Sequence, residues 1–286
     1  GQITGPSNTT AIYSVQINAS QPEAYGYAVD YSTEHARRPT GAYLTPGRIA
    51  TVTVPANLVG KGYRVRVGAH VHDLQNRPNN LERFDRGTRT YPINNVATEI
   101  ASPLGGGIYI EVPYEVEEGL ATIQFQNTVR APFFSNTVAR QTTLTEWRNT
   151  ERGHPGPWTD FETDKFMMTI PTAWIYNFSD PVTLMNNWDL AMDACSDLQG
   201  LPRVRPKTVL YCIIDVTLKA NAFSPGYPQS NDNFDPTPSN PYNGNQNHDY
   251  LNGPQVTDEV DFHEFGHASS INKFNGETES IVNLFA

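Results

Sequence analysis

The chain has 286 residues, 38% of them hydrophobic and 11% aromatic, enough for one large core or two modest ones and too many for a scaffold held by disulfides. Its formal net charge of -10 leaves no broad basic surface for phosphate, so nucleic acid is not an expected partner, and with only 17% charged residues it is not a disordered acidic tail. No stretch approaches the roughly 18–20 apolar residues of a membrane helix, so no transmembrane segment is expected.

The first half alternates with period two. Ile49–Val54, Tyr63–Val67, Ile108–Val112 and Ala121–Phe125 each place apolar side chains on one face and polar ones on the other, the pattern of half-buried strands. Thr45-Pro46-Gly47, Gly60-Lys61-Gly62, Gly105-Gly106-Gly107 and Glu117-Glu118-Gly119 read as the turns between them. The three consecutive glycines precede neither a helix nor a Lys-Ser/Thr pair, so they read as a turn and not as a phosphate cradle. A β-sandwich over residues 1–145 accounts for this half.

Beyond it the pattern becomes α+β, over residues 146–286. Lys165–Pro171 reads as a strand, and Asp180-Pro181 opens a helix carrying Leu184, Trp188, Leu190, Met192 and Ala194. Lys207–Val216 is nearly continuous apolar strand, as in a buried sheet. Residues 221–255 lack periodicity and read as one long loop, the rim or lid of a site. Cys195 and Cys212 form no Cys-x-x-Cys pair; one disulfide and two buried thiols are equal readings. Sequons at Asn8, Asn18 and Asn177 point towards a secreted or cell-surface protein.

The chemistry concentrates at the end of the chain. His263-Glu264-Phe265-Gly266-His267 places two histidines at i and i+4, on one face of a helix, where both imidazoles reach one metal ion. Glu264 projects about a third of a turn away, placed to act as general base on water without being a ligand. Thr257 suits the N-cap of this helix, with Asp258 and Glu259 in its first turn. Gly276-Glu277-Thr278-Glu279 then supplies two carboxylates; Glu279 is the expected third ligand, Glu277 the alternative, and Asn283, four residues after Glu279, is placed to orient a ligand by hydrogen bonding. Ser270 and Lys273 stand where a three-histidine pattern needs Gly and His, which removes that reading. His70 and His72 alternate beside Asp73 and read as a solvated strand face, while His154 and His248 read as surface residues. Trp147 and Trp158, flanked by loop residues, are candidate ligand contacts.

Several segments in order carry a resemblance: Pro39-Thr40-Gly41 with Leu44–Gly47, Gly106–Ile110, Pro157-Trp158 with Lys165–Pro171, Leu184–Met192, Ser224–Pro228, and the run from His263 to Glu279. Together they resemble the enhancin-type, mucin-degrading zinc metallopeptidases, a gluzincin-like family. The resemblance implies an N-terminal β-sandwich followed by a zincin-like catalytic domain. It also implies one Zn2+ held by His263, His267 and Glu279, with Glu264 as general base, and Gly226-Tyr227-Pro228 bordering the substrate cleft; Trp158, from its loop flanks, is the further cleft candidate. Such proteins continue into a helical subdomain that supplies a Tyr or His for the oxyanion; the sequence ends at Ala286, so a catalytic domain cut short at that subdomain is expected. The expected function is a secreted zinc endopeptidase acting on glycoproteins, mucin-like ones with O-glycans included. The alternative is a non-catalytic glycan- or protein-binding surface protein that keeps the fold.

Overall fold

Period-two alternation builds the first two sheets. In the computed structural model, which describes residues 3–21, 35–70, 87–203, 209–215, 227–232, 249–257, 259–269 and 277–286, the first sheet runs in the order β1-β8-β3-β6. These are β1 (Ile12–Gln21), β8 (Val116–Gln126), β3 (Ile49–Thr53) and β6 (Ala97–Ala101), all antiparallel. The second runs β5-β4-β7-β2-β9, with β5 (Arg89–Pro92), β4 (Arg64–Val67), β7 (Gly106–Val112), β2 (Ala36–Leu44) and β9 (Val129–Arg130). Val15, Ile17, Val52, Ile123 and Phe125 from the first sheet and Val65, Val67, Ile108 and Ile110 from the second fill the core of this sandwich. Burial of these side chains, each contributing about 1.5–3 kcal/mol, is what holds the two sheets face to face.

The turn chemistry is used in two ways. Thr45–Gly47 and Gly60–Gly62 turn as expected, with Gly47 at φ +70°. Glu117-Glu118-Gly119, expected as a turn, instead lies inside β8; Gly119, at φ +70°, sits where the register with β1 shifts between Asn18 and Ser20, and its N–H donates to Ser20 Oγ. The glycine signal there marks a bulge in a long strand, which bends the sheet without ending it.

The third sheet has the order β10-β11-β12-β13-β14: β10 (Phe133–Asn136), β11 (Trp158–Thr163), β12 (Phe166–Pro171), β13 (Leu210–Asp215) and β14 (Gln229–Asp232). Only the β11–β12 pair is antiparallel. All six residues of β13 are buried, which is why that segment reads as continuous apolar sequence. β14 lies within the stretch expected to be loop; its sequence Gln-Ser-Asn-Asp carries no apolar signal.

One face of the third sheet is covered by helices. α2 (Pro181–Gln199) starts on Asp180, whose side chain accepts from Thr183 N–H, and ends on Gly200 in the left-handed region. It buries Leu184, Met185, Trp188 and Met192 against Phe161, Phe166, Met168 and Ile170. α1 (Leu144–Asn149), α3 (Asp249–Asn252), α4 (Glu259–Ser269) and α5 (Thr278–Val282) complete the α-helices among the described residues. Cys195 and Cys212 are both buried in this core and are not bridged.

The other face meets the sandwich. Tyr109 on β7 donates its hydroxyl to Asp160 Oδ1 on β11 at 3.0 Å, and Arg37 on β2 sends Nη2 to the carbonyl of Tyr227 at 3.1 Å. The architecture is therefore α+β, a β-rich N-terminal half followed by a mixed half with one helical face.

Candidate metal centre

The helix that bears the motif is anchored from its apolar side. Phe265 on α4 is fully buried, with its ring 6.4 Å from Phe166 and 6.1 Å from Trp188. Asp261, one turn earlier, accepts from the Tyr250 hydroxyl at 3.0 Å, and Trp188 Nε1 donates to the Tyr250 carbonyl at 3.1 Å. With Asp261 and Phe265 turned inward, His263 and His267 face outward, their side chains 23% and 20% exposed and their rings 5.0 Å apart. Thr257 directs its hydroxyl to the Gly253 carbonyl at 3.0 Å; Asp258 lies outside the described residues.

α5 brings the third donor. Glu279 Oε2 lies 3.2 Å from His263 Nε2 and 3.6 Å from His267 Nε2. Donors held tetrahedrally at about 2.0–2.1 Å from one zinc ion are about 3.4 Å from each other, so these separations bracket the spacing of a zinc ligand set. Among the described residues this is the one group of three or more His, Cys, Asp or Glu whose ligand atoms all lie within 4.8 Å of one another. Asn283 Oδ1 accepts from His263 Nδ1–H at 2.7 Å, which leaves the lone pair on Nε2, the atom that faces Glu279. The residues present therefore fit a zinc ion in number, donor type and spacing. Glu264, half-buried, follows His263 directly on the helix. Glu277 is the exposed N-cap of α5 and stands outside the cluster.

The remaining candidates lie elsewhere. Trp147, expected to contact ligand, is fully buried: Thr143 caps α1, the segment folds as a short helix, and the indole N–H donates to the Phe178 carbonyl at 2.9 Å. His70, expected on a solvated strand face, is half-buried between the two halves, with Nε2 2.8 Å from the Ile214 carbonyl and its ring edge-on to Trp158. His154 is half-buried beside Glu151. His72, Asp73, Gly226 and His248 lie outside the described residues. Tyr227 is buried, with its hydroxyl accepting from Arg37 N–H at 2.9 Å, and Trp158 lines a cavity on the sandwich side of the third sheet. One residue not singled out in the sequence is Arg37, whose guanidinium lies over both Tyr211 and Tyr227.

A β-sandwich followed by an α+β half whose final helices present two histidines and a glutamate defines a zincin-like protein. The chain belongs to the M60 peptidase, enhancin and enhancin-like family: that family's model matches residues 127–286, and the model for the N-terminal domain of M60-like peptidases matches residues 7–126. Among curated relatives, the TRPM8 channel-associated factor homolog of Danio rerio is 29% identical over 189 residues, 66% of this chain and 20% of that protein. Among solved structures, a functionally unknown conserved protein from Bacillus anthracis str. Ames aligns with TM-score 0.70 at 15% identity, over 96% of this chain and 54% of that one. The M60 catalytic domain of Clostridium perfringens ZmpC, solved in complex with the sialyl T antigen, aligns with TM-score 0.64 at 14% identity, over 94% and 55%. The chain thus spans about a fifth of the curated relative and about half of these solved chains.

Proposed function

We propose that the chain carries the metal-binding and general-base machinery of a secreted or cell-surface zinc endopeptidase that acts on glycoproteins, mucin-like ones included. The observation that supports this reading most is the convergence of His263, His267 and Glu279 at the spacing of a zinc ligand set. A zinc ion held there supplies Lewis acidity towards a peptide carbonyl and makes water easier to deprotonate. Glu264 takes the proton from the attacking water and returns it to the leaving amine nitrogen. Asn283 keeps His263 in the tautomer that offers Nε2. Glycoprotein substrates are supported by the sialyl T antigen bound to the Clostridium perfringens M60 domain. The exposed sequon residues Asn8 and Asn177 support an extracellular location.

The test uses the zinc-loaded protein, an O-glycosylated peptide and the variant Glu264→Gln. Zinc content should stay at one per chain while cleavage disappears; undiminished cleavage by Glu264→Gln would overturn the assignment. A second reading, a binding protein that keeps the fold without catalysis, is favoured by the name of the curated relative, a channel-associated factor. Stoichiometric zinc with no cleavage of any glycopeptide by the full-length protein would select it.

A further inference from the structure

A cavity of about 240 Å³ lies between the second and third sheets, bordered by Trp158, Tyr43, His70, Tyr109 and the Gly105–Gly107 run. It is separate from the metal centre. Phe161, Phe166 and Met168 face the helices that carry the metal site, whereas Asp160, on the alternate face of the same sheet, bonds Tyr109 of the sandwich, so the sheet itself stands between the two sites. Trp158 pairs with Pro171, at the far end of β12 from Phe166, the residue that touches α4; that strand is about 17 Å long.

The walls have a definite chemistry. Trp158 is half-buried and held by His70, with ring centroids 4.7 Å apart, so its indole is a fixed plate. Tyr43 is 7% exposed, and its hydroxyl finds no hydrogen-bond partner among the described residues. The opposite wall is bare main chain: a Cβ on Gly105 would fall 2.4 Å from the Leu44 carbonyl and one on Gly106 2.7 Å from Gly68 N, so no side chain can cover these peptide groups. No Asp, Glu, Lys or Arg lines the cavity among the described residues. Its volume falls below the roughly 300–1,000 Å³ of sites for drug-sized ligands, which leaves room for one ring.

We propose that this cavity binds a single neutral sugar ring, its C–H face on the Trp158 indole and its hydroxyls on Tyr43 and the glycine main chain. A flat apolar plate beside the unpaired Tyr43 hydroxyl and a glycine main chain whose carbonyls can accept a further hydrogen bond, with no charged side chain among the described lining residues, matches a neutral pyranose better than an acidic sugar. The site stands independently of the peptidase reading.

Ligand-observed saturation-transfer NMR on the zinc-loaded full chain tests it, with methyl β-galactoside, N-acetylgalactosamine and, as charged comparator, N-acetylneuraminic acid. A neutral sugar should bind, with affinity reduced about three- to tenfold in Tyr43→Phe, which removes only the hydroxyl, and about tenfold or more in Trp158→Ala. His267→Ala, which opens the metal centre, should leave this binding unchanged. Tyr43→Phe with wild-type zinc content serves as the folding control. No binding of either neutral sugar, wild-type affinity in both cavity variants, or binding lost with His267→Ala would overturn the proposal, and so would tighter binding of N-acetylneuraminic acid through the same residues.

Discussion

Gly266 on α4 and Val282 on α5 lie so close that a Cβ on the glycine would fall 2.8 Å from Val282 Cβ and 2.9 Å from its carbonyl oxygen. The glycine within the His-Glu-x-x-His motif is therefore the contact point of the two helices that carry His263, His267 and Glu279. Gly266→Ala gains about 1 kcal/mol of helix propensity, but the crowding atoms include backbone, which cannot rotate aside. Overpacking of about 1–3 kcal/mol is expected, relieved by displacement of α5 and with it Glu279. Zinc affinity should fall at least tenfold in a chelator-competition titration; wild-type affinity would show that this contact does not position Glu279.

The tautomer of His263 rests on Asn283. Asn283→Ala should weaken zinc binding by about 10–100-fold, whereas Asn283→Asp, which keeps an acceptor at the same place, should restore most of it. Equal affinities for both variants would remove the assigned role.

Of the two carboxylates at the start of α5, only Glu279 approaches the imidazoles. Glu279→Gln should lose zinc and Glu277→Gln should hold it, as read by metal content after dialysis. The reverse result would move the third ligand to the position before the helix.

Arg37 ties the halves together at Tyr227 and Tyr211: its backbone N–H donates to Tyr227 Oη, Nη2 to the Tyr227 carbonyl, and its guanidinium lies over both tyrosine rings, while Nη1 anchors it to the Ala69 carbonyl within the sandwich half. Arg37→Leu strands two buried carbonyls and should cost about 2–4 kcal/mol in denaturant unfolding. A loss below 0.5 kcal/mol, roughly the scale of an ordinary surface change, would count against the clamp.

Burial raises the Asp160 carboxyl to about 6, against the hydrogen bonds it accepts from Thr169 and Tyr109. Between 3.8 and about 6 the folded chain holds this proton more tightly than the unfolded chain, so the contribution of Asp160 to stability is full below that window and declines as pH rises through it. The difference in unfolding free energy between wild type and Asp160→Asn should shift by about 3 kcal/mol at most from pH 4 to 7, with the wild type losing ground. A difference independent of pH would mean that Asp160 titrates normally.

The pairing of His263 and His267 was legible in the sequence because helical spacing alone puts them on one face. Asn283 could be singled out from its spacing to Glu279, while its hydrogen-bond partner, His263, became visible only once α5 folded back onto α4. Arg37 was not legible: its partner Tyr227 is 190 residues away, and a buried arginine looks like any exposed one until the distant strand arrives. β14 escaped because its polar residues are held by main-chain pairing with β13, which leaves no hydrophobic period. Trp147 was misplaced since a helix as short as α1 shows too little periodicity to distinguish a core indole from one on a loop.

Neighbouring residues Phe133 and Phe134 are both buried, the first in the sandwich core and the second in the core beneath the helices. A single strand thus acts as a rivet through two plates. Cutting the chain before it takes a ring from the sandwich; cutting after it takes one from the metal-bearing half. An inserted residue just ahead of Phe133 would exchange the faces that follow, so chain length here is constrained to the residue, in a region whose sequence looks like an ordinary connector.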